Sequence, residues 1–159
     1  MQPDPEHCRY LDQECPLTLA EGLEEFAAAN PGLIPSDEST ELGRLTRAHD
    51  ACHVLFGLTT AVEDEALADT WTLAASTVTL REYMQYLKHE EFTDLIKQIG
   101  AWPMIGGSVR AIPRALKIFG RSRRMKERWP FFGYRDYLDT PLAEIRRRFG
   151  IELLPRPTH

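Results

Sequence analysis

Four side chains capable of metal or proton chemistry fall close together in the chain: His49, Asp50, His53 and Glu65. Histidines at i and i+4 share one face of a helix, so both imidazoles can donate to a single ion. On a helical wheel with His49 at zero, His53 falls at about 40°, Leu42 at about 20°, Phe56 at about −20° and Leu45 at about −40°. The histidines therefore lie within the apolar stripe that a packed helix buries. Asp50, at about 100°, and Cys52, at about −60°, flank them. A partly buried carboxylate is costly unless it is paired or bound to a metal. Glu65 follows a break at "GLTT", and an antiparallel return of the next helix would bring it beside His53. Two imidazoles and up to two carboxylates suit zinc, and equally suit iron(II) held by two histidines and a carboxylate. Spacing leaves the two metals open. It also leaves open a core motif in which the histidines are only hydrogen-bonded.

The other candidate groups are weaker. Cys52 reads as a small core residue. His89 sits in the charged run "KHEE", while His7 and His159 lie near the chain ends. A phosphohydrolase with adjacent His and Asp would need further ligands of these types, and neither His7 nor His89 is well placed to supply one.

Helix signals position these residues. Thr18-x-x-Glu21 is a capping box ahead of "LAEGLEEFAAAN", which "NPG" stops. "SDEST" opens a long helix from about Glu38 to Phe56, closed near Gly57. Thr60-x-x-Glu63 opens the next helix, and another starts around Thr79. A basic segment follows, interrupted by Pro113 and Gly120. Thr140, with Pro141 at the first helical position and Glu144 in the first turn, begins the last helix. "STVTL" is the one tempting strand. The expectation is an all-α fold, a single-domain irregular helical bundle of about six helices over residues 1–159. Residues 1–15 read as a loosely ordered tail, and residues 154–159 as a second one.

The chain has 159 residues, 43% hydrophobic and 27% charged, as in ordinary globular domains. Three cysteines without zinc-finger spacing favour a reducing compartment. The opening "MQPDPEHCRY" resembles neither a secretory signal nor a transit peptide, so a cytoplasmic location is expected. The net charge of −5 divides into −12 for residues 1–70 and +7 for residues 71–159. Such polarity implies either an anionic partner for the basic half or attraction between the halves. In "RAIPRALKIFGRSRRMKERW", Ile112, Leu116, Ile118 and Phe119 alternate with Arg114, Lys117, Arg121, Arg123 and Arg124. Those five bases are the candidate lipid-surface residues, each contributing about 1 kcal/mol near anionic lipid. They can equally hold the phosphate of a prenyl phosphate. Overall acidity and the lack of a recognition motif argue against nucleic acid.

The pattern HDxxH, eleven residues, then Glu resembles the signature of the coenzyme Q biosynthesis protein 4 family. Arg47, the "HVLFG" around His53, and Thr60 are similar to positions of that family, as is the ending "YRDYLDTPLAEIRRRFGIEL". The resemblance covers roughly residues 40–75 and 120–153, as in a divergent bacterial-type member. It implies a metal held by His49, Asp50, His53 and Glu65, with zinc or iron as the cofactor and Glu65 and Asp50 as candidate catalytic groups. It also implies an apolar channel for a polyprenyl tail and peripheral membrane association, here at the inner face. The activity implied is ubiquinone biosynthesis: C1 decarboxylation and hydroxylation of a polyprenylated hydroxybenzoate. The alternative is a non-catalytic lipid-binding scaffold organising other quinone-biosynthesis proteins, and a homodimer is compatible with either. Asp64 stands where the family pattern leads one to expect glycine.

Overall fold

The computed structural model describes residues 4–33, 38–86 and 101–156, with side chains except at residues 85, 86 and 101–108. Among them are six α-helices: α1 (Leu19–Ala29), α2 (Glu41–Phe56), α3 (Val62–Ala75), α4 (Leu80–Tyr86), α5 (Ala101–Ser122) and α6 (Leu142–Phe149). Short 3₁₀ turns cover Pro5–His7, Arg9–Leu11 and Phe131–Tyr137. No strand occurs among the described residues, so the all-α expectation holds; "STVTL" contributes only an isolated bridge, Ser76 to Trp129. His89, His159 and residues 157–159 lie outside the described residues.

Two of the four expected Thr caps form. The Thr18 hydroxyl accepts from the Glu21 amide, and the Glu21 carboxylate accepts from the Thr18 amide. Thr79 and Glu82 make the same reciprocal pair ahead of α4. Thr60 does not cap α3. Its hydroxyl donates to Asn30 Oδ1 at 2.7 Å, and the helix starts at Val62 instead. Thr140 does not cap α6 either: the helix begins at Leu142 with Pro141 at the cap, and the Thr140 carbonyl accepts from the Leu19 amide at 3.0 Å. The starts of α1 and α6 thus satisfy each other: Leu142 N donates to Leu17 O at 2.7 Å and Ala20 N to Leu138 O at 2.9 Å. α2 begins at Glu41 with Thr40 as its cap, three residues later than expected, and ends at Gly57, whose φ of 65° suits glycine.

α5 runs unbroken through Pro113 and Gly120, contrary to the interruption expected there. Pro113 is exposed, and a Cβ placed at Gly120 would meet nothing within 4 Å beyond its own helix, so neither position obstructs packing. The N-terminal stretch also differs from expectation. Cys8, Tyr10, Leu11 and Cys15 are buried, and Tyr10 stands edge-on to Phe26 with centroids 5.8 Å apart. These four side chains are therefore core, because they fill the space between α1 and the end of α2.

Arg146 lies at the centre of that space, with none of its surface exposed. Its guanidinium donates to Leu55 O (2.9 Å), Val54 O (2.9 Å), Tyr10 O (2.7 Å), Gln13 O (3.4 Å) and Asp12 O. Burial pulls its pKa down to about 10, so it remains charged at neutral pH. Arg146→Met, which strands several carbonyls at once, is expected to cost about 3–5 kcal/mol and lower Tm by about 10 °C or more. Arg146→Lys, unable to reach carbonyls on two segments together, should lose a large part of this. Thermal and urea unfolding followed by circular dichroism measure both.

Candidate metal centre

α2 ends in a left-handed glycine, and a four-residue turn returns the chain as α3 against it. His49 and His53 project from α2 on one face, and Glu65 sits in the first turn of α3 opposite them. The antiparallel return expected from "GLTT" is thereby realised. His49 Nε2 and His53 Nε2 stand 3.2 Å apart. Glu65 Oε2 lies 3.6 Å from the first and 3.4 Å from the second. A tetrahedral ion with bonds of about 2.0–2.1 Å holds its ligand atoms about 3.3–3.4 Å apart. The three edges bracket that value, so these residues fit a divalent cation as they stand.

Burial is graded across the trio. The His53 side chain is 2% exposed, that of His49 16%, and that of Glu65 43%. Phe26 stacks on the His53 ring at 5.3 Å and closes the inner side. The open side is the one bordered by Glu65. Burial by itself would raise the Glu65 carboxyl, but the charges and hydrogen bonds of His53 and His49 outweigh it and hold it far below the usual range. Burial likewise pulls His49 down, yet Glu65, Asp69 and Asp50 together leave its pKa raised. Among the described residues neither Nδ1 atom has a hydrogen-bond partner.

Asp50 does not join the trio. The group whose ligand atoms converge consists of His49, His53 and Glu65. Asp50 is buried one position round the helix, on the side of Tyr134, where its charge adds to burial in raising that phenol. A residue adjacent to His49 is rotated about 100° from it, which is why the HD pair divides between two surroundings.

Two residues not singled out in the sequence border the site. Asp69, four residues beyond Glu65 on the same face of α3, accepts a hydrogen bond from the Tyr83 hydroxyl of α4. The Tyr83 ring lies 6.4 Å from that of His49. The i, i+4 spacing from Glu65 is a signal that could have pointed to Asp69. Nothing in the sequence marks Tyr83. Cys52 is a buried core thiol, pushed up to about 12 by burial, as its small-residue reading implies. His7 is exposed and paired with Asp4 at 2.9 Å.

The bases of α5 divide by surroundings. Arg114 is engaged by Glu63 and Asp64, Arg121 donates to the Glu152 and Leu153 carbonyls, and Arg124 pairs with Glu152 at 3.2 Å. Lys117 and Arg123 are exposed, as is Arg110. Val109, Ile112, Leu116 and Phe119 form an exposed apolar stripe along the same helix. No helix among the described residues is long and apolar enough to cross a membrane.

The fold and site define an all-helical protein with a two-histidine, one-carboxylate candidate metal centre between adjacent antiparallel helices. No family model, no curated protein and no solved structure matches the chain.

Protein purified without an affinity tag or added metal is expected to hold about one equivalent of zinc or iron per chain, which His49→Ala/His53→Ala loses; plasma mass spectrometry reads both. The thermal effect of that metal should grow with pH. A raised His49 pKa stabilises the metal-free protein below the ordinary value of 6.5 and ceases to do so as pH climbs through the raised value. Glu65, with a lowered pKa, stays ionised throughout that window. An ion needs both imidazoles neutral, so the Tm gap between loaded and metal-free protein should be wider at pH 8 than at pH 6.

Proposed function

We propose that this protein is a metal-dependent enzyme of ubiquinone biosynthesis, acting at a membrane surface on the ring of a polyprenylated hydroxybenzoate. The reaction is oxidative removal of the C1 carboxylate: the C1–carboxyl bond breaks with release of carbon dioxide, water supplies the new C1 hydroxyl, and dioxygen takes up the two electrons and leaves as hydrogen peroxide. The single observation that carries the reading is the convergence of His49 Nε2, His53 Nε2 and Glu65 Oε2 to within 3.2–3.6 Å at a partly open position. Those three residues would hold the ion, and Asp50 would stand outside the ligand set. When bound, the metal supplies a Lewis acid for the substrate's carboxylate and phenolic oxygens.

The remaining roles fall to the chain's own groups. Phe26 keeps water from the inner side of His53. Glu65, ionised and 43% exposed, borders the side from which a ring can approach. Asp69 and Tyr83, already sharing a proton-bearing contact, lie where they can orient a substrate oxygen beside His49. The prenyl tail ties the substrate to the bilayer, and the apolar stripe of α5 is suited to meet that bilayer. Lys117, Arg123 and Arg110 then face anionic headgroups, each contributing about 1 kcal/mol. On this reading the protein works at the cytoplasmic face of the membrane, with a prenylated quinone precursor as its small-molecule partner.

Glu65→Gln removes a charge with almost no change of shape. In the enzyme it should abolish carbon dioxide release from a prenylated hydroxybenzoate in anionic vesicles while moving Tm by only a few degrees. Activity retained in that variant would sink the catalytic reading. A markedly earlier melt of the metal-loaded variant, with no turnover in the parent, would instead identify a structural ion in a lipid-binding scaffold.

A further inference from the structure

We propose that Arg114 is a positioning residue for Glu65, keeping the two acids beside it away from the metal position; the inference rests on the metal-centre reading above. Glu65 belongs to a run of three acids, Glu63, Asp64 and Glu65, in the first turn of α3. Any of the three can ligate a cation, and three adjacent carboxylates repel one another. The cap of this helix, Ala61, offers no side-chain acceptor to hold the turn in register.

One guanidinium resolves both difficulties. Arg114 Nη1 donates to Glu63 Oε1 at 3.0 Å and to Asp64 Oδ1 at 3.1 Å. The other Asp64 oxygen accepts from the Thr59 amide and the Thr59 hydroxyl, both at 2.9 Å. Asp64 is thereby fixed from two sides, by the α2–α3 turn and by α5. The side chains of Arg114 and Asp64 are each 17% exposed, so the pair is less screened than a surface ion pair. α5 packs along α3, with Ala111 and Ile118 buried on the same side of the helix as Arg114.

The consequence concerns which carboxylate faces the histidines. His49 and His53 come from a single helix and keep their spacing whatever α3 does. Glu65 Oε2 reaches them only in the present rotation and height of α3. A cation that occupies Glu63 and Asp64 leaves Glu65 as the one acid of the run turned to the two Nε2 atoms. Arg114 thus sets affinity and ligand geometry without touching the ion.

The test uses cobalt(II) titrated into the metal-free 159-residue chain, with dissociation constant and visible d–d spectrum as readouts. The native chain is expected to bind one equivalent with an intense, low-coordination spectrum. Arg114→Gln should weaken binding by about ten-fold or more, as outer-shell changes do. Its spectrum should shift toward the weak bands of higher coordination, as Glu63 or Asp64 enters. Arg114→Lys should recover part of the affinity and most of the spectrum, a rescue that loss of packing alone would not give. Should Arg114→Gln fail to fold, Asp64→Asn halves the same clamp and is expected to weaken binding several-fold with a spectral shift. Native affinity and spectrum in the folded Gln variant, or in Asp64→Asn where that variant is the one measured, would overturn the positioning role and leave the metal centre standing. A native chain that takes up no cobalt would overturn both.

Discussion

A single charge buried among backbone carbonyls organises this molecule. Among the described residues the hydrogen bonds of the Arg146 guanidinium go to carbonyls at the end of α2 and in residues 10–13. The last carbonyls of a helix carry no intrahelical partner and sit at its negative end, so a cation there is doubly favourable. The guanidinium therefore completes α2, fastens the N-terminal stretch over it, and anchors α6 beneath both. His53 lies one residue before the first of those α2 carbonyls. The inner wall of the metal position is thus as well fixed as the core itself.

The elements were more legible than their tertiary use. Thr18 and Thr79 cap helices as local pattern implies, because nothing else competes for their hydroxyls. Thr60 carries the same local pattern and does not, because Asn30 offers its hydroxyl a tertiary partner that the pattern cannot register. The i, i+4 histidines were readable since helix geometry alone places them together, and Glu65 followed from the turn. Asp50 stands outside the converging group among the described residues because adjacency in sequence is divergence on a helix. Arg146 was not readable at all. In "EIRRRF" three arginines look alike, and only packing selects the middle-facing one from Arg147 and Arg148.

Charge polarity between the halves of the chain admitted either an outside anion or internal attraction. Several pairs across the halves are present: Arg114 with Glu63 and Asp64, Arg135 with Glu38, and Arg156 with Asp12. Internal attraction therefore accounts for part of the polarity and removes Arg114 from the residues able to meet lipid. Arg121 and Arg124 are likewise turned to the C-terminal segment around Glu152. The surface left for an anionic partner is narrower than composition implied, and it runs beside the apolar stripe of α5.

The centre combines one rigid and one adjustable element. Two ligands from a single helix give a fixed bite, whereas the third depends on how α3 is held. Stacking of Trp71 on Phe56, with centroids 4.5 Å apart and planes 5° from parallel, grips α3 to the last residue of α2. The Asp69–Tyr83 contact fastens α3 to α4 one turn beyond Glu65, and Arg114 fastens its first turn to α5. Three neighbouring helices therefore converge on the one helix that supplies the carboxylate. A site built this way transmits a small displacement of α5 or α4 to the ligand edge lengths, while the histidine pair stays unchanged. The helix that carries Arg114 also bears the exposed apolar stripe of Val109, Ile112, Leu116 and Phe119.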